Sequence, residues 1–233
     1  MRGKLFQFIW HFMVKGFIKR KNGVGDNLKD YSERMIEQLK LALNFTDKID
    51  FVIIGDSNGE NLATYSNMVQ LQKEIGGIGV NIAIGGTRAD TWNEFLRFSH
   101  KGIDIYRFID THVKKVIFNI GGNHILQDKM DILEKEFISL YELFPESYNC
   151  LVPPIHIGLI AGLKGINPQV IQERVETCNN LIKHIWRNKA IDTYTPFLSP
   201  SKEPYFFVLD DLVHFSDYAD KKLRIPIIID KVK

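Results

Sequence analysis

Five short apolar runs, each separated from the next by a segment of helical length, constrain this chain more than any other feature. Residues 51–54, 80–84, 116–120, 150–155 and, more weakly, 190–194 read as buried strands, rich in β-branched and aromatic side chains. Between them lie amphipathic segments. Before the first run, Leu28–Leu43 has helical period; before the last, Asn167 and Pro168 supply a cap and a first-turn proline ahead of Ile171, Val175, Cys178, Ile182 and Ile185. Strands alternating with helices require a parallel sheet, because each right-handed crossover lays a helix on one face. The expected architecture is therefore α/β, a three-layer α/β/α doubly wound five-stranded parallel sheet. No repeat, linker or low-complexity tract interrupts residues 23–233, and a chain of 233 residues can bury one core of this kind. One domain over 23–233 is expected, with its chemistry in loops beyond the carboxyl ends of the strands.

Residues 1–22, MRGKLFQFIWHFMVKGFIKRKN, are both apolar and basic. Gln7, His11 and Lys15 interrupt the apolar run and no small-residue cleavage site follows, so a cleavable signal peptide is not expected. A spanning helix would need about 20 predominantly apolar residues, which the segment lacks. Wound as a helix over residues 4–19, it gathers Lys4, Gln7, His11, Lys15 and Lys19 on one stripe. Phe6, Ile9, Trp10, Met13, Phe17 and Ile18 fall elsewhere around it. The expectation is an amphipathic helix outside the domain core. It either packs against protein, in this chain or a second copy, or lies on a membrane surface with its basic residues in the interface. The compartment stays open, with a cytoplasmic or membrane-peripheral place the expectation.

Thirty basic against 28 acidic residues leave a net charge of +2, too small for an electrostatic case for a nucleic-acid partner. Cys150 and Cys178 fall on a strand and a helix face with no metal or disulfide spacing, and read as core thiols. The histidines show no H-E-x-x-H or comparable pattern, so neither a metal nor another cofactor is expected.

Four polar clusters sit at strand ends. Gly55-Asp56-Ser57-Asn58 follows the first strand and precedes a helical segment, which would set Ser57 at the mouth of the sheet near free helical N–H groups. Gly85-Gly86-Thr87 closes the second strand with paired glycines that let a backbone N–H approach a ligand. Gly121-Gly122-Asn123-His124 follows the third strand and adds a side-chain amide donor. Near the C-terminus, Asp211-Leu212-Val213-His214-Phe215-Ser216 places a carboxylate three residues before an imidazole. That spacing can fold back in one turn to fix the ring tautomer and stabilise the imidazolium.

In order and placement these clusters resemble the sequence blocks of the SGNH/GDSL hydrolases, over about residues 50–223, and the continuation His214-Phe215-Ser216 with Lys222-Leu223 is similar too. The resemblance implies a flavodoxin-like strand order 2-1-3-4-5, Ser57 as nucleophile, and Asp211 and His214 as its triad partners. It also implies an oxyanion hole formed by the Ser57 N–H, Gly86 and Asn123. Three positions depart from the family pattern: Asn58 where leucine is common, Gly85 where serine is common, and His124 where block three usually carries aspartate. They point to a changed pocket or changed local hydrogen bonding around a retained asparagine. Arg88 and Trp92, just past Gly86, and His124 and His156 are candidate substrate contacts, each with packing as its plainer role. The expected activity is a serine esterase acting on a small acyl ester, acetyl or glycan-borne. The alternatives are an O-acyltransferase using the same triad and an inactive SGNH-like binding module.

Overall fold

A computed structural model describes residues 28–200, 204–205, 208–211 and 213–233; the expected helix over residues 4–19 lies outside them. The sheet contains β1 (Phe51–Gly55), β2 (Gly79–Asn81), β3 (Val116–Asn119), β4 (Tyr148–Cys150) and β5 (Ala190–Ile191). All neighbours are parallel and the order is β2-β1-β3-β4-β5, the expected 2-1-3-4-5. The helices are α1 (Leu28–Leu43), α2 (Ser57–Glu60), α3 (Tyr65–Ile75), α4 (Ala89–Arg97), α5 (Ile105–His112), α6 (Gly122–Leu126), α7 (Leu133–Leu143), α8 (Ile157–Lys164), α9 (Pro168–Trp186), α10 (Asp217–Ala219) and α11 (Ile225–Val232).

The alternation of strand side chains divides the core into two layers. Val52 and Ile54 of β1 and Val116 and Phe118 of β3 join a cluster with α1, α4, α5, α7 and α9. Phe51 and Ile53, with Ile117 of β3, face the other way onto Met68 and Leu71 of α3 and Ile225, Ile228 and Val232 of α11. A third, small cluster of Phe197, Val208, Leu209, Phe215 and Ala219 lies under the C-terminal loop.

Four strands are shorter than the apolar runs that announce them, and at β2 and β4 the local reasons are visible. After β2, the Asn81 side chain accepts from the Ala83 N–H at 3.0 Å. The run nevertheless stays extended, and Ile82 and Ile84 still donate to Ile53 and Gly55 of β1. After β4, Pro153 and Pro154 have no N–H to give a ladder, so the chain leaves the sheet there. The Val152 N–H is taken instead by the Asn179 side chain at 2.8 Å. An unexpected two-residue hairpin, Ser99–His100 with Ile103–Asp104, turns on Lys101 and Gly102, both at positive φ as a tight hairpin turn requires.

Candidate active site

The nucleophile turn is fixed by steric fit. A Cβ on Gly55 would stand 2.1 Å from the Asn119 carbonyl oxygen, so β1 and β3 can pair at that point only around glycine. Asp56 then caps α2 by accepting the Asn58 N–H at 3.0 Å, and Ser57 occupies the first helical position. Burial raises the Asp56 carboxyl to about 6, opposed by bonds from the Asn58 and Gly122 N–H groups and by the charges of Arg224 and His214. Asp56 thus joins the serine turn to the Gly122-Asn123 turn.

Histidine and aspartate come together in a loop closed at its base, where Ser216 donates to Val208 at 2.8 Å and Asp210 to His214 at 3.1 Å. Asp211 Oδ1 accepts the N–H groups of Val213 and His214, both at 2.7 Å. Its Oδ2 lies 2.6 Å from His214 Nδ1, and His214 Nε2 lies 2.8 Å from Ser57 Oγ. A carboxylate only accepts, so Nδ1 carries the proton and Nε2 is left to accept from the serine hydroxyl. Partial burial alone would raise the Asp211 carboxyl, but bonds from the His214 ring and the two N–H groups hold it below the usual range.

Two side chains lock this loop onto the nucleophile turn, one that sequence reasoning passed over and one, Asn58, that it singled out. Arg224 is fully buried. Its Nη2 donates to the Asn58 carbonyl at 3.0 Å, its Nη1 to Asp220 at 2.9 Å, and its guanidinium lies 4.7 Å from the centre of the Phe215 ring. Asn58, the residue in the place of the usual leucine, donates through Nδ2 to the Val213 carbonyl at 3.2 Å. On the opposite side, Glu60 of α2 accepts the Gly85 N–H at 2.8 Å. Arg224 stands among Lys221, Lys222 and Lys231, and nothing in the sequence sets it apart from these other cations as the buried one; Glu60 offered no signal either.

Asn123 lines the cleft beside Ser57, together with Asn58 and residues that follow β4. One of its two amide hydrogens is committed to the Thr87 carbonyl at 2.9 Å, which ties block three to block two. Gly121, at φ 137°, is confined to glycine twice over, since a Cβ would also meet Cys178 Sγ and Val152 at 2.8 Å. Gly86 has φ 82° and precedes Thr87, but it is not among the residues lining the cleft.

The four candidate substrate contacts are likewise absent from that lining, and three have other partners that explain why. Arg88 is bound to Asp90, through Nε at 3.0 Å and Nη2 at 2.7 Å, and to Gln127. Trp92 is completely buried and donates to the Gly55 carbonyl and Thr87 Oγ1 at 3.1 and 3.0 Å. His124 is buried as well; its Nε2 accepts the Ala89 N–H at 3.0 Å and its Nδ1 faces the Lys129 carbonyl at 2.9 Å. Trp92 and His124 are thus committed to partners inside the domain, in keeping with the plainer packing role the sequence reading gave them. His156 precedes α8 and is partly buried, one residue beyond the lining residue Ile155.

Sheet order, serine turn and histidine loop define the class: the chain has the SGNH/GDSL hydrolase fold. It is similar in structure to a GDSL-like lipase from Bacteroides thetaiotaomicron, with a TM-score of 0.65 and 14% identity over 88% of this chain and 98% of that one. An acetylxylan esterase from Geobacillus stearothermophilus matches with a TM-score of 0.56 and 18% identity, over 81% and 96% of the two chains. The OSK domain of Drosophila Oskar matches at 0.54 and 13%, over 80% and 89%. At these identities the likeness is one of fold. No protein-family model matches the sequence, and no curated protein matches it.

Proposed function

We propose that this protein hydrolyses carboxylic esters, with Ser57 as nucleophile, His214 as general base and Asp211 as the group that orients and stabilises the histidine. The observation that carries the reading is the unbroken relay from Asp211 Oδ2 through His214 to Ser57 Oγ, at 2.6 and 2.8 Å, opening on a cleft that also holds Asn123. In the first half-reaction His214 Nε2 takes the hydroxyl proton as Ser57 Oγ attacks the ester carbonyl. The imidazolium then protonates the leaving alcohol. Negative charge on the carbonyl oxygen is met by the Ser57 N–H and by the second Asn123 amide hydrogen; the resemblance adds the Gly86 N–H, outside the cleft lining but next to the Thr87 carbonyl that Asn123 binds. Water, activated by the same histidine, releases the acid and restores the serine. A second alcohol in place of water would give acyl transfer by the same steps.

A fluorophosphonate probe tests this directly. Labelling should map to Ser57, disappear in Ser57→Ala and slow strongly in His214→Ala. An unlabelled wild-type protein would make the relay a structural feature and the domain a binding module.

A further inference from the structure

The cleft at Ser57 is lined by two unlike kinds of side chain. Asn58 and Asn123 are polar like the serine, whereas Ile125, Leu126, Val152, Pro153, Ile155 and Val213 make an apolar wall. Among the described residues, the only ionisable side chain in the lining is Asp56, which is buried and committed to the turns behind the serine. A sugar hydroxyl moved against such a wall would lose water and gain no partner.

Beyond the wall the chain enters α8. Ile155 leads through His156 into this helix, and Lys164 in its last turn bonds the Leu126 carbonyl, so α8 is tied at both ends to residues of the wall. Its sequence, Ile-Gly-Leu-Ile-Ala-Gly-Leu-Lys, has no charge before Lys164. Ile160 and Ala161 are buried, while Leu159 and Leu163, four residues apart on one stripe, are 58% and 78% exposed. An exposed apolar stripe on a helix anchored at both ends to an apolar cleft wall has the chemistry of a ligand surface.

We infer that the wall and the outer face of α8 form one acyl-chain site, and that the ester cleaved at Ser57 carries an apolar acyl chain of several carbons rather than acetyl. The inference rests on Ser57 being the nucleophile. With the carbonyl carbon at Ser57 Oγ, an acetyl group reaches the wall with a single methyl. Each further methylene removed from water contributes about fourfold to binding, so the wall favours chains that continue along it towards Leu159 and Leu163.

The test is a series of monomeric p-nitrophenyl esters from acetate to decanoate, read as kcat/KM, beside a turnover-free measurement of decanoate binding to Ser57→Ala by calorimetry. The specificity constant should rise about tenfold from acetate to butyrate and go on rising to octanoate. In the double variant Leu159→Ser/Leu163→Ser, the octanoate-to-acetate ratio should fall about tenfold and decanoate should bind Ser57→Ala about tenfold more weakly. A preference for acetate, with a ratio the double variant leaves unmoved, overturns the acyl-chain site and leaves ester hydrolysis standing. Absence of turnover on every ester overturns the hydrolase reading and this inference together. Failure of decanoate to bind saturably overturns the site whatever the turnover.

Discussion

Arg224 shows how one buried cation can organise a site it does not enter. Its guanidinium bonds a backbone carbonyl of the nucleophile turn, pairs with Asp220 and stacks on the ring next to His214, so serine and histidine are positioned by the same group. Burial raises the Asp220 carboxyl even with Arg224 beside it. Losing the cation should leave an unpaired buried acid and an orphaned carbonyl, and Arg224→Met should cost about 3–5 kcal/mol in urea unfolding. Replacing both partners, Arg224→Met with Asp220→Leu, should recover much of that stability without recovering ester turnover, because Asn58 still lacks its anchor. Full recovery of turnover would show that Arg224 serves the fold alone. Asn123 gives the complementary case. Asn123→Ala should keep the fold and reduce kcat roughly 10²–10³-fold on a short-chain aryl ester if its free amide hydrogen meets the oxyanion. An unchanged rate would remove that role.

Between elements, the joints carry what single residues cannot. His124 of α6 accepts the first N–H of α4 through Nε2, in a contact available only to the neutral ring. Burial lowers its pKa below the ordinary histidine value. For a base with a depressed folded-state pKa, the stabilisation is fully present above the unfolded value of 6.5 and is lost as pH falls through the folded one. His124→Gln keeps an acceptor and cannot titrate. The melting temperature of wild type minus that of the variant should therefore fall between pH 7.5 and pH 5, by about 2–4 °C for each kcal/mol lost. Parallel pH profiles would exclude the joint as a pH-sensitive element. Asp56 acts with the opposite sign: its pKa is raised to about 6, so its contribution is present below 3.8 and disappears as pH rises through 6. Both proteins carry it, and it cancels in the difference. The strands and the four clusters were legible in the sequence because they follow period and position along the chain. The joints were not, because they link residues 35, 155 and 166 positions apart. The same limit left His124 open between a pocket contact and a packing role, since a histidine after Asn123 gives no sign that an N–H of α4 waits for it.

At the scale of the whole molecule, the unassigned weight lies in residues 1–22, which hold Phe6, Ile9, Trp10, Met13, Phe17 and Ile18 among six basic residues, Arg2, Lys4, Lys15, Lys19, Arg20 and Lys21. No helix among the described residues is long and apolar enough to cross a membrane. Among the described residues the helices from α1 to α11 pack in two layers against the sheet, and Ser57, His214 and Asp211 make their contacts with one another and with residues of the turns and loop around them. A protein lacking residues 1–22 should therefore fold, label at Ser57 and turn over monomeric esters at the full-length rate. What should change is partitioning. An apolar segment with added basic charge binds an anionic bilayer by burying its apolar side and gains about 1 kcal/mol for each Lys or Arg held near the surface. Full-length protein should float with vesicles containing phosphatidylserine, less so at high salt, and the truncated protein should stay in solution. Sedimentation of both forms without lipid supplies the control: if the full-length protein associates with itself and ignores vesicles, the segment is a contact between copies. If the truncated protein fails to fold, the segment belongs to the core and the membrane reading loses its basis.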